Sequence, residues 1–174
     1  TDERKGMEYF IDAIDRLVKQ HPELKDNTSV AVLGGNAQLV CDRLALKAYP
    51  LGYVSDERRI VDIYRSADMY VLPSLEDNLP NTIMEAMACG VPCVGFRVGG
   101  IPEMIDHRRT GYVANFKDSN DLAVGMNWVL QEADTEQLSS ACVSKVTRCY
   151  SGQSVAMRYI EVYNELIALK RYIV

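Results

Sequence analysis

The chain has 174 residues, 48% of them apolar and 25% charged, and a formal net charge of −5. That length suits one domain able to bury roughly 70% of its unfolded surface, so neither disulfides nor a structural metal is required to hold it. No basic block marks a nucleic-acid surface, no membrane-length apolar run or signal-peptide pattern occurs, and the two histidines leave little from which to build a zinc site or a histidine triad.

Helix and strand signals alternate along the chain. Met7, Phe10, Ile11, Ile14, Leu17 and Val18 recur at helical spacing, and His21-Pro22 closes that helix. Ser29 to Leu33 is a β-branched-rich run that stops at Gly34-Gly35-Asn36, which predicts a strand with a tight exit. The stretch from Asn36 to Tyr49 fits a short helix followed by a strand ending near Leu51-Gly52. Ser55 is placed to cap a helix carrying Ile60, Val61, Ile63 and Tyr64. Met69 to Leu72 predicts a strand, Asn81 to Cys89 a helix stopped by Gly90, and Val91 to Phe96 a further strand. Gly99-Gly100 makes a turn, Ile101 to Ile105 a short helical piece, and Gly111 leads into a brief strand, Tyr112 to Ala114. Three helices finish the chain. In the last, Val155, Tyr159, Val162, Tyr163 and Leu166 form an apolar face expected to pack on the sheet or on a missing neighbour.

This alternation predicts an α/β fold: a Rossmann-like, doubly wound parallel sheet with helices on both faces. Ligands of such sheets bind outside the carboxyl ends of the strands. The loops of interest are therefore Gly34 to Asn36, Gly52 to Ser55, Pro73 to Thr82 and Arg97 to Pro102. The five cysteines, odd in number and without a C-x-x-C pair, read as reduced, packed thiols of a cytoplasmic protein.

Between Leu79 and Phe96 the one charged side chain is Glu85, and Asp77 stands eight positions before it. The first amides of a helix opening at Asn81 would point over the preceding loop with partial positive charge, a seat for phosphate. Glu85, about one turn inside, has two acceptor oxygens and can take hydrogen bonds from a vicinal diol such as a ribose. Asp77 can do the same for a sugar ring. An acid in the first turns of a helix is also favoured by ~0.3–1 kcal/mol through the dipole alone, and on its own Glu85 is explained that way. An Asp before a helix is ordinarily a turn or cap residue. Arg4 and Lys5 weigh against the simpler reading, because they begin a helix at the end where a cation is unfavourable, although a solvated pair beside Asp2 and Glu3 accounts for them too. Gly34-Gly35 and Gly99-Gly100 are, taken singly, ordinary turns.

Together these residues resemble the donor-binding half of the family-4 glycosyltransferases, which have the GT-B fold. The resemblance rests on Pro73-Ser74, Asp77 and then Glu85-Ala86-Met87-Ala88-Cys89-Gly90-Val91-Pro92. It is extended by Lys5-Gly6, Leu33-Gly34-Gly35, Leu51-Gly52-Tyr53-Val54, Ile63-Tyr64-Arg65-Ser66-Ala67-Asp68, Gly99-Gly100-Ile101-Pro102-Glu103 and the final helix. The resemblance implies that Glu85 grips the nucleotide ribose and that Asp77, the candidate catalytic residue, holds the donor sugar hydroxyls. It further implies that Arg4, Lys5, Gly34, Asn78, Leu79, Asn81 and Thr82 line the sugar and diphosphate, with Gly52 to Ser55 bordering the base. The implied substrate is a nucleoside-diphosphate sugar, transferred with retention of configuration. No cofactor and no metal are expected, nor any nucleic-acid partner. The family's first motif acid is usually Glu, so Asp77 is one methylene short. The amino-terminal acceptor domain of the same polypeptide is missing, as is a strand expected just before Arg4. The chain, starting at Thr1 without an initiator Met, therefore reads as an excised or truncated carboxyl-terminal domain, 1–174, inactive alone. Peripheral membrane contact, if any, would be made through the missing domain. The other classes are a nucleotide-sugar epimerase, for which His107 is the one well-placed histidine, and a non-enzymatic α/β binding module without nucleotide affinity.

Overall fold

A computed structural model describes residues 3–170. A 3₁₀ turn, Glu3–Lys5, leads into α1 (Met7–Gln20), followed by α2 (Leu24–Asn27), β1 (Ser29–Leu33), α3 (Ala37–Cys41) and β2 (Lys47–Gly52). Next come α4 (Glu57–Arg65), β3 (Tyr70–Leu72), α5 (Asn81–Ala88), β4 (Cys93–Phe96), α6 (Ile101–Met104) and β5 (Gly111–Ala114). The chain ends with α7 (Ser119–Asn127), a π-helical stretch (Trp128–Glu132), α8 (Thr135–Tyr150) and α9 (Gly152–Lys170).

Every strand pairing is parallel, as the alternation predicts, but the strands form two ladders rather than one continuous sheet among the described residues: β1-β2 and β3-β4-β5. In the second ladder β4 is central, and all four of its residues are buried. Its side chains alternate between two cores, as the pleat requires. Val94 and Phe96, with Tyr112 and Ala114 of β5, pack against Phe10, Ile14 and Leu17 of α1 and Leu122 and Met126 of α7. Cys93 and Val113, with Leu72 of β3, pack against Ile83 and Met87 of α5, Ile101 and Met104 of α6, and Cys142 of α8. Helices thus cover both faces, which is why these strands read as continuous apolar runs. Val30 of β1 joins the first core, so the two ladders share a hydrophobic layer.

Two details differ from the sequence reading. The cap of α4 is Asp56, whose carboxylate accepts from the Arg59 N–H at 2.8 Å, not Ser55; a carboxylate is the stronger acceptor for a helix start. A single-turn helix, α2, lies where none was expected. Of the two placements expected for the apolar face of α9, on the sheet or on a missing neighbour, the first does not occur: Tyr159, Val162, Tyr163 and Leu166 are all exposed. No helix of the described residues is long and apolar enough to cross a membrane.

Candidate functional site

The register sets the site. Leu72 lies opposite Gly95, so β3 and β4 end side by side and their exit loops, 73–80 and 97–100, emerge together. Two glycines lock these loops to their neighbours. Gly99 has φ +52, and a Cβ there would overlap the carbonyl oxygen of Asp77. Beside it, the Gly100 N–H donates to the Asn78 carbonyl at 2.7 Å. On the other side, Gly6 has φ +63 and lies against the Pro73 carbonyl, while the Leu75 N–H donates to the Arg4 carbonyl at 2.7 Å. Both contacts need a backbone without a side chain, and both glycines sit in the left-handed region where other residues are strained.

These contacts bring together residues far apart in sequence. The turn carrying Arg4 and Lys5, both exposed, docks on the start of the 73–80 loop, and Asp77, Asn78 and Leu79 follow. Asp77 is half-buried and Asn78 exposed. The loop then delivers the chain into α5, whose N-cap is Pro80. Proline offers no side-chain acceptor, so the first amides of α5 carry no side-chain cap. Asn81, Thr82 and Glu85 share the exposed side of α5, whereas Ile83, Ala86 and Met87 are buried on the opposite side. The helical period therefore puts the lone charge on the solvent face with the two polar residues of the first turn.

Beneath that face lies a tyrosine pair that the sequence reading did not single out. The Tyr64 hydroxyl donates to Glu85 Oε2 at 3.3 Å. Burial, with Tyr70 and Glu85 nearby, raises the Tyr64 pKa far above the ordinary tyrosine value, so the group is a fixed donor. Tyr70 packs edge-on against Tyr64, ring centroids 5.7 Å apart. Burial pushes the Tyr70 pKa up to about 12. In sequence Tyr64 is one more apolar-face residue of a helix, 21 positions from its acid, and nothing local signals the pairing.

Gly34 adjoins the other ladder: it directly follows β1, with its N–H donating to the Gly52 carbonyl at 2.8 Å, and so joins the loops after β1 and β2. Tyr53, just beyond, is 86% exposed at the same edge. His107 lies away from all of these, at the amino end of β5, where its Nδ1 accepts from the Val113 N–H at 3.1 Å. Burial, followed by Arg108 and Arg97, lowers its pKa. His107 precedes β5 and so stands toward the amino edge of the ladder, whereas the 73–80 and 97–100 loops leave its carboxyl edge. A surface cavity of about 460 Å³ lined by Arg108, Arg109, Trp128 and Gln137 also lies at the amino edge, between the turn before β5 and the start of α8. The loop site itself is an exposed shelf, with Asn78, Leu79, Asn81, Thr82 and Glu85 all at the surface. Among the described residues no three of His, Cys, Asp or Glu come together as metal ligands would.

This architecture is shared with known glycosyltransferases. Sucrose-phosphate synthase from Thermosynechococcus elongatus superposes with a TM-score of 0.76 at 22% identity, covering 97% of this chain and 44% of that one. The Anabaena protein HepE, crystallised with UDP-glucose, gives a TM-score of 0.74 at 20% identity, covering 95% of this chain and 46% of that one. In sequence, the chain is 27% identical over 173 residues to the D-inositol 3-phosphate glycosyltransferase of Corynebacterium jeikeium, covering 93% of this chain. It spans 30–42% of the length of the curated relatives it matches. The family described as glycosyl transferases group 1 matches residues 1–132, which include every strand and the whole shelf, and the chain belongs to that family.

Proposed function

We propose that this chain is the donor-binding part of a retaining glycosyltransferase, and that the shelf holds a nucleoside-diphosphate sugar. The observation that carries the reading is the double glycine clamp, which assembles the Arg4–Lys5 turn, the Asp77–Leu79 loop and the open start of α5 on one surface. In this reading the ribose hydroxyls donate to Glu85, the diphosphate faces Lys5, Arg4 and the amides of Asn81 and Thr82, and Asp77 holds hydroxyls of the sugar. Gly34 and the Tyr53 loop border the rest of the nucleotide. Negative charge grows on the diphosphate as the glycosidic bond breaks. Cations and fixed amides aimed at that position stabilise it without reorganising, so leaving-group stabilisation is the main catalytic contribution. Asp77 and Glu85 act as grips rather than as an acid/base pair.

An open shelf has no opposite wall. The acceptor, and the side of the cleft that excludes water, are assigned to a further domain of the same polypeptide, in keeping with the longer relatives. The chain alone is expected to bind a nucleoside diphosphate and to transfer nothing.

Glu85→Gln tests the central assignment. It keeps the shape and removes the charge, so binding of UDP, GDP or ADP, whichever the chain prefers, should weaken by roughly 1.5–3 kcal/mol, the range for a charge-assisted hydrogen bond. Thermal stability should hardly change, since Glu85 is exposed. A lowered melting temperature with unaltered affinity in calorimetry would return Glu85 to the role of a helix-start acid.

A further inference from the structure

We propose that Tyr64 is a positioning residue for the ribose grip: its hydroxyl holds the Glu85 carboxylate in one orientation on the exposed face of α5 before the nucleotide arrives. The inference rests on the assignment of Glu85 to the ribose hydroxyls, and adds to it a residue that never touches the ligand.

The geometry has three parts. Glu85 is exposed, with three rotatable side-chain bonds, and in water such a side chain samples many rotamers. Tyr64, by contrast, is 4% exposed, belongs to the buried cluster around Ile83 and Met87, and has the ring of Tyr70 edge-on against it. Its hydroxyl is therefore a donor at a fixed point, 3.3 Å from Glu85 Oε2. A buried tyrosine usually finds a partner for its hydroxyl, and here that partner is the carboxylate of the exposed face. Ordering one carboxylate oxygen in advance leaves the other lone pairs for a vicinal diol, and removes part of the side-chain entropy that binding would otherwise cost.

A merely structural bond would influence folding and treat all ligands alike. A positioning bond acts on the ribose hydroxyls alone. The experiment is calorimetry on the chain with UDP, GDP or ADP, using the one it binds most tightly, and with the 2′,3′-dideoxy form of that nucleotide. Wild type, Tyr64→Phe, Glu85→Gln and the double variant are compared, with melting temperatures measured in parallel. Tyr64→Phe is expected to weaken the ribonucleotide by roughly three- to tenfold, the effect of one hydrogen bond, and to leave the dideoxy form unchanged. The double variant should bind as Glu85→Gln does. Should Tyr64→Phe fail to fold, Glu85→Asp, whose carboxylate is drawn back one methylene from Tyr64, is expected to show the same ribose-specific loss.

A ribose-specific loss in Glu85→Gln with none in Tyr64→Phe overturns the positioning role and leaves the ribose grip intact. Equal weakening of both nucleotide forms by Tyr64→Phe also overturns it, since the residue would then act through packing. If Glu85→Gln does not discriminate the two forms, or if none of the three nucleotides binds, the ribose assignment fails and the positioning role with it.

Discussion

Helices α5 and α7 both begin at the carboxyl edge of the three-stranded ladder, and both present first-turn amides without helical partners. In α7 the chain supplies its own acceptor: Asp118 takes hydrogen bonds from the Asn120 and Asp121 amides at 2.9 and 3.0 Å. In α5 the same position is Pro80, which has no side-chain acceptor, and the carboxylates nearby stand elsewhere. Asp77 lies three residues before the cap and Glu85 one turn beyond it. One helix start is thus saturated by its own sequence, whereas the other is arranged so that a negative group from outside can complete it. The chain shows the same economy at α4 and α8, capped by Asp56 and Asp134. The two kinds of helix start should respond to substitution in opposite ways.

The largest effect is expected at the glycine that shapes the open start. In Gly99→Ala the new methyl meets the Asp77 carbonyl, and φ at this position is +52. Strain of this kind costs roughly 1–3 kcal/mol, and the 77–79 loop can relieve it by moving away from the shelf. Nucleoside diphosphate affinity should fall on the order of tenfold or more, with a lowered melting temperature. Unchanged affinity would mean that the loop conformation is irrelevant to the ligand, and the clamp would be purely structural.

The capped start should behave in the reverse sense. Asp118→Ala removes the acceptor of two amides, which typically costs about 1 kcal/mol of stability. Urea unfolding should register that loss, while calorimetry with the same nucleotide gives the wild-type affinity. A binding defect would show that α7 belongs to the site as well, and the contrast between the two helix starts would dissolve.

How far this contrast is visible in the sequence depends on the range of the interactions behind it. The order of strands and helices is legible because β4 and β5 are buried on both faces and α1 on one, so periodicity alone reports them. The motif acids are legible because Glu85 is alone in an apolar stretch. The clamp is not, since Gly99-Gly100 says only that a turn occurs, and the carbonyls it admits lie more than 20 residues earlier. Tyr64 is hidden for the same reason: its ring satisfies the apolar pattern of α4 and its hydroxyl acts across a tertiary contact. The choice between Ser55 and Asp56 as the cap turned on one residue of register, which local pattern does not resolve. The division into two ladders follows from which strand edges meet in space, and that too is beyond pattern.

The smallest effect concerns the cations that face the open start, and it separates two ways of meeting phosphate charge. A diphosphate clamped through Mg²⁺ or Mn²⁺ needs carboxylates directed at its oxygens. Here the two motif acids are assigned to hydroxyl groups, and the phosphate is assigned to Lys5, Arg4 and the amides at the start of α5. Lys5 is exposed, on a turn fixed by the Arg4 carbonyl and by Gly6, so its contribution is screened and modest. Lys5→Ala should weaken nucleoside diphosphate binding by about 0.5–1 kcal/mol. Wild-type affinity should decline with rising salt and the variant's should decline less, because one screened attraction has been removed. EDTA should alter neither. Calorimetry of both proteins across a salt series, with and without chelator, checks all three expectations. Loss of binding on chelation would transfer the phosphate to a metal, and an unaltered salt slope in the variant would move it away from Lys5.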